Sequence, residues 1–327
     1  MLRYTSEKMM KGARVVVKTC LNVKAGEKVL IVTDTGRDIS VAQALFEAAL
    51  KLDAEPVIAV MTPRKHPGDE PPYNVSSAMK VSDVIICPTT ATVYHSDARV
   101  EACKAGARFL SMTGATPKTL AAGPIFADFE EQKPKVEKLA SLFMKAEEIR
   151  LTTPAGTDIK AKIKGRVAHA ETALCHEPGC CMGAPDIEAN ITPIEDTTEG
   201  VIIVDGSISV IPGVVKTQVR VEVYEGSAVK ITGDGEASKL KEILRKADDP
   251  KVYVVAEFGV GFNPKAKVRG VSNIEDEATL GTAHIALGDN HTMGGKNTAS
   301  MHVDMIVMNP TIYLDGKVVF NKKRLVV

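Results

Sequence analysis

Two rhythms of apolar and polar positions divide the chain. In its first half, near-continuous Val/Ile/Leu runs alternate with helical patterns: KVLIVTD over 28–34, VAQALFEAALKL over 41–52, EPVIAVM over 55–61, DVIICP over 83–88 and ARFLSM over 107–112. Apolar runs separated by helices predict a parallel sheet covered on both faces. The expectation is a doubly wound α/β domain over residues 1–148. Ahead of it, Met9, Ala13, Val16, Val17, Cys20 and Leu21 share one helical stripe. That stretch lacks the uninterrupted apolar run and cleavage site of a secretory signal, so it reads as a folded helix.

A charged segment, EEQKPKVEKLASLFMKAEEIR, reads as a connecting helix ending near Arg150. Beyond it the rhythm shortens to EIRLTTPAG, DIKAKIKGR, GVIIVDGSISV, TQVRVEVYEGSAVKITG, KVYVVAEFGVG and TIYLDGKVVF, interrupted by one helix, EASKLKEILRKA. The D-G, E-G and P-G turns between these runs predict an antiparallel, β-rich α+β domain over residues 149–327. No internal repeat is present.

The length of 327 residues agrees with two domains. Lys plus Arg and Asp plus Glu both number 41, so no net field draws the chain to nucleic acid or anionic lipid. Aromatic residues make up 4% and Trp is absent, which removes the stacking platforms of single-strand binders. No apolar stretch approaches the roughly 20 residues of a membrane-spanning helix. These features point to a cytoplasmic protein with a small-molecule or short-peptide substrate and no nucleic-acid or membrane partner.

Motifs narrow the chemistry further. After the first strand, TDTGRD holds one glycine, so the G-x-G-x-x-G turn of dinucleotide folds is missing, as is a G-x-x-x-x-G-K-[ST] phosphate loop. The run HPGDEPPYN, His66 to Asn74, reads as a surface loop of the kind found at the carboxyl ends of strands, where such folds bind ligands. Of six cysteines, Cys175, Cys180 and Cys181 crowd into ETALCHEPGCCMGAPD. Their C-x4-C-C spacing lacks the second pair of a structural zinc site, so they read as reduced thiols which, with His176, line a pocket or loop.

The segment ASMHVDMIVMNPT places His302 and Asp304 on the same side of one strand. A carboxylate within an apolar strand costs several kcal/mol unless it is paired or metal-bound. Glu257 ends another apolar run and is followed by glycines that let backbone or ligand come close. His284 lies among small residues, His291 follows it near a Gly-Gly turn, and Glu188 precedes a Thr-Pro turn. If they converge, two glutamates, two histidines and an aspartate suit a pair of Zn, Mn or Co ions that share and activate a water.

The blocks PDIEANITPIEDTTEGVIIVDG, AEFGVGFNPKAKVRG, NIEDEATLGTAHIALGDN and GGKNTASMHVDMIVMNPTIYLDGK resemble the aminopeptidase T and aminopeptidase S metallopeptidases. The resemblance implies Glu188, Glu257, His284, His302 and Asp304 as ligands of about two divalent metals, amide hydrolysis by a metal-activated water, and a homodimer. His291 stands where those peptidases carry a tyrosine, and it or His95 would move protons. The chain is similar as well to 2,5-dihydroxypyridine dioxygenase, in length and in the GGK…H-x-D…IYLD block. That likeness implies the alternative, a single Fe(II) and ring cleavage, with His95 of TATVYHSDAR at the pocket. Glu257 stands at the position of that enzyme's first histidine, and Glu188 has no carboxylate counterpart there, so the residues favour the hydrolase. A metal-binding protein without turnover is the third reading.

Overall fold

The computed structural model describes residues 6–66 and 68–326. Met1–Thr5, which precede the N-terminal helix, Pro67 of the proline-rich loop and Val327 lie outside them. The fold is mixed α/β with one parallel sheet and two large antiparallel sheets. Residues up to Glu130 together with Thr172–Asp186 form one compact unit; Glu131–Glu171 and the chain from Ile187 onward form the other.

In the first unit the strands Glu55–Met61, Lys28–Asp34, Val84–Cys87, Arg108–Ser111 and Cys181–Gly183 lie side by side in that order, every pair parallel. The central strands are buried on both faces, as their unbroken apolar runs require. Glu55–Met61 is an edge strand, and it leaves Val57 and Val60 exposed. Helices Ile39–Leu50 and Asp97–Lys104 start at Asp38 and Ser96, whose side chains accept from the Ser40 and Arg99 backbone N–H groups. The N-terminal stripe is as expected: helix Glu7–Arg14 widens into a π turn, Val15–Cys20, and all six stripe residues are buried. No helix among the described residues is long and apolar enough to cross a membrane.

In the second unit, helix Phe129–Lys145 stops earlier than its charge pattern suggested. Glu148–Thr152 is already a strand, because Ile149 and Leu151 alternate inward with period two. An eight-stranded antiparallel sheet runs Ser227–Thr232, Val219–Tyr224, Glu199–Val204, Asp158–Lys162, Glu148–Thr152, Thr311–Leu314, Lys317–Asn321, Arg324–Leu325. The seven-stranded sheet matters most for function. It runs Ile211–Val214, Ser207–Ile208, His302–Met308, Thr282–Gly288, Val255–Gly261, Glu188–Ile191, Ala168–Glu171.

Candidate metal centre

Four neighbouring strands of this sheet carry all five of the expected ligands. Register puts them on one face. Glu188 stands opposite Gly261, Gly259 opposite His284, Glu257 opposite Ala286, Ala286 opposite Asp304, and Gly288 opposite His302. Residues facing one another across strands project to the same side, as do positions two apart. The five polar side chains are therefore interleaved with glycine and alanine, which leave the face open. A Cβ on Gly259 would lie 2.0 Å from the His284 ring, so only glycine admits that imidazole. At Gly261 it would meet the Thr279 and Glu277 carbonyls at 2.4 and 2.5 Å.

Within the cluster, His284 Nδ1 is 3.7 Å from Glu188 Oε2 and its Nε2 is 3.4 Å from Glu257 Oε1. His302 Nε2 is 3.1 Å from both Glu257 Oε2 and Asp304 Oδ1. Among these five residues two donor groups result, Glu188/Glu257/His284 and Glu257/His302/Asp304, and they share Glu257. Burial is deep at 1% side-chain exposure for His284 and about 5% for the carboxylates, whereas His302 keeps 29%.

Three of the donors have one end fixed and the other turned inward. Asn190 Nδ2 donates to Glu188 Oε1 at 2.8 Å. Asn273 Nδ2 donates to Asp304 Oδ2 at 2.8 Å and to Glu277 Oε2 at 2.6 Å. His302 Nδ1 lies 2.7 Å from the Asp289 carbonyl, which can only accept, so Nδ1 carries hydrogen and Nε2 faces the carboxylates. Glu188 Oε2 and His284 Nδ1 are buried with no hydrogen-bond partner. Fixing the outer end of a ligand while its inner end stays unsatisfied is how proteins orient metal donors. Imidazole nitrogen and carboxylate oxygen without thiolate suit divalent Mn, Fe, Co or Zn. The residues fit a metal.

The electrostatics agree. Burial alone would depress His284, but Glu188, Glu257 and Asp304 outweigh it and raise its pKa to about 10. Asp304 and Glu257 likewise lift His302 well above the usual range despite burial. Burial lifts Glu188 to about 7; His284 and Asn190 offset part of this, and Glu257 and Asp304 add to it. Glu257 is pulled below the ordinary carboxylate range because hydrogen bonds and charge from both histidines overcome its burial. Burial, then Glu188 and Asp304, push Glu277 far up. Such crowding of buried carboxylates around two imidazoles favours a cation among them.

Of the two expected proton carriers, His291 is exposed and holds both Asp289 carboxylate oxygens at 2.8 Å, and the Asp289 carbonyl fixes His302. His95 belongs to the first unit, in the turn before helix Asp97–Lys104, exposed and with its ring edge-on to Tyr94 at 5.2 Å. Sequence reasoning missed Asn190, Asn273, Glu277 and Asp289. The first could have been found, since E-x-N spacing on a strand puts Asn190 on the same face as Glu188. A cavity of about 360 Å³ is walled by Ile208, Ser209, Ile211, Pro212, Val271 and Asn273 among others. Two of these reach the cluster, Asn273 as above and Ser209, whose Oγ accepts from the Asp304 N–H at 2.9 Å.

Comparison with known proteins adds the family. A family model described as 2,5-dihydroxypyridine 5,6-dioxygenase (NicX) matches residues 8–327. The 2,5-dihydroxypyridine 5,6-dioxygenase of Pseudomonas putida KT2440 is 27% identical over 252 residues, covering 74% of this chain and 70% of the relative. The structure of 2,5-dihydroxypyridine dioxygenase from the same organism superposes with a TM-score of 0.85 at 24% identity, over 98% of this chain and 97% of the other. AmpT from Thermus thermophilus, an aminopeptidase T, gives 0.74 at 17% identity over 98% and 99%. Both superpositions establish a shared fold.

The family match overturns the expectation of a metallohydrolase, and with it the metalloprotease and aminopeptidase readings. The error has a physical source. A peptidase and an oxygenase share this fold, and the donors that bind a water-activating metal are of the types that bind an oxygen-activating one.

Proposed function

We propose, because this chain belongs to the 2,5-dihydroxypyridine 5,6-dioxygenase family, that it is a metal-dependent oxygenase that opens a hydroxylated pyridine-type ring. The observation that carries this reading is the buried donor cluster with its fixed outer ends and unsatisfied inner atoms. Glu257, His302 and Asp304 would hold the catalytic metal, since His302 keeps the exposure that substrate and oxygen require. Bound there, a metal such as Fe(II) supplies the one-electron chemistry that lets oxygen react with an electron-rich ring.

The chain's own residues do the rest. Asn273 and the Asp289 carbonyl hold Asp304 and His302 in orientation. Ile208, Ile211, Pro212 and Val271 offer apolar surface to a flat ring, and Ser209 and Asn273 offer polar contacts beside it. His291, backed by the Asp289 carboxylate, passes protons to and from solvent at Nε2.

In the test, the chain is loaded anaerobically with Fe(II), its metal content is confirmed, and oxygen uptake is followed with 2,5-dihydroxypyridine and related dihydroxylated rings. One oxygen consumed per ring opened is expected. Metal-loaded chain that consumes no oxygen with any of these rings overturns the reading.

Metal affinity should also rise with pH. In the metal-free site, Asp304 and Glu257 raise the His302 pKa well above the usual imidazole range against its burial, so its Nε2 keeps a proton at neutral pH. Metal at that nitrogen must displace it, and one displaced proton changes affinity about tenfold per pH unit. Calorimetric titrations in buffers of different ionisation enthalpy measure the proton release; a pH-independent affinity contradicts the assignment.

A further inference from the structure

The cysteine-rich segment takes no part in the metal centre. Its Cys181, on the edge strand Cys181–Gly183, packs with Cys103 of helix Asp97–Lys104 and Tyr94 against the core of the first unit. All six cysteines are free, and Cys103 and Cys181 are both half-buried. The Cys103 Sγ lies 3.9 Å from the Cys180 carbonyl oxygen, one peptide bond from Cys181. The backbone leaves no slack here, since a Cβ on Gly179 would lie 3.0 Å from the Cys103 carbonyl oxygen. Arg99 stands one helical turn before Cys103, its Nε bonded to the Tyr94 carbonyl at 2.6 Å and its guanidinium 5.2 Å from the Tyr94 ring centroid.

We propose that Cys103 and Cys181 form a peroxide-reactive thiol pair that closes to a reversible disulfide, with Cys103 as the attacking sulfur.

The shared packing puts the two thiols in unequal surroundings. Cys103 has its thiol pKa lowered, first by Cys181, with Arg99 adding to it against burial. Cys181 is pushed up by burial and then by Cys103, so it keeps its proton. A thiol with lowered pKa beside a guanidinium and a half-buried partner thiol is the setting in which cysteines react. The neighbouring pair is poorer. Cys175 is fully buried and donates to the Phe109 carbonyl at 3.5 Å, which shields the sulfur that would have to resolve a Cys180 adduct.

The chemistry balances with hydrogen peroxide as oxidant. The Cys103 thiolate attacks one peroxide oxygen; an S–O bond forms, the O–O bond breaks, and the departing hydroxide takes a proton to leave as water. The Cys181 sulfur then attacks Cys103 Sγ; an S–S bond forms, the S–O bond breaks, and a second water leaves. Two thiols are oxidised and one peroxide is reduced. The product ties helix Asp97–Lys104 to the edge of the parallel sheet.

The full-length chain, reduced and desalted, is exposed to a small excess of hydrogen peroxide, denatured in iodoacetamide, and mapped by mass spectrometry without reduction. Loss of alkylation at Cys103 and Cys181, with a cross-linked peptide pair that dithiothreitol reverses, is expected. In Cys181→Ser, Cys103 should stop at the sulfenic acid and give at least about tenfold more dimedone adduct than the unaltered chain. Linkage of Cys175 to Cys180 with Cys103 and Cys181 still alkylated overturns the proposal. So does irreversible oxidation of Cys103 without linkage, or a Cys181→Ser chain whose Cys103 takes no dimedone.

Discussion

Glu257→Gln is expected to lower metal affinity by more than about a hundredfold and to abolish oxygen uptake, with circular dichroism unchanged. Glu257 is the one residue common to both donor groups, and its two oxygens face the two histidines at 3.4 and 3.1 Å. Glutamine keeps the shape and removes the charge that draws a cation in. Asn273→Ala takes away orienting hydrogen bonds to Asp304 and Glu277 and no ligand charge, and removals of that kind cost about 10- to 100-fold. Metal titration of both variants ranks them. A glutamine variant that binds metal as tightly as the parent would remove this sheet face as the metal centre.

Gly259→Ala should be nearly as damaging without touching any charge. The added methyl would lie 2.0 Å from both Cε1 and Nε2 of His284. Both strands are buried through their whole length, so neither backbone can retreat. Overpacking of this kind costs about 1–3 kcal/mol. Part of the strain is relieved by swinging the imidazole away from Glu257, so metal affinity falls together with stability. Denaturant unfolding of the metal-free chain and metal titration read the two effects separately. An alanine variant unchanged in both would show that the ring is not wedged against this glycine.

Part of the cluster was legible in the sequence, because period-two alternation tells which side chains share a strand face, whereas Glu188 and His284 were marked only by the family resemblance. His302 and Asp304 follow directly from it, and Glu257 was marked by standing in a run that is otherwise apolar. The parallel sheet was equally readable from its unbroken Val/Ile runs. The orienting shell was not. Asn273 reaches Asp304 from a short helix, Asn273–Glu277, 31 residues upstream, and such a contact depends on tertiary placement that no local pattern encodes. The return of Thr172–Asp186 to the first unit was hidden for the same reason, since Cys181–Gly183 is a three-residue strand paired with one more than seventy residues away. The choice of reaction stayed out of reach because nitrogen and oxygen donors at these spacings serve hydrolysis and oxygenation alike.

The account turns on where a metal sits, and anomalous diffraction from crystals soaked anaerobically with Fe(II), recorded on either side of the iron absorption edge, tests that directly. A peak bounded by Glu257, His302 Nε2 and Asp304 Oδ1 is the predicted result. Iron-loaded crystals with no anomalous density among these donors would contradict it.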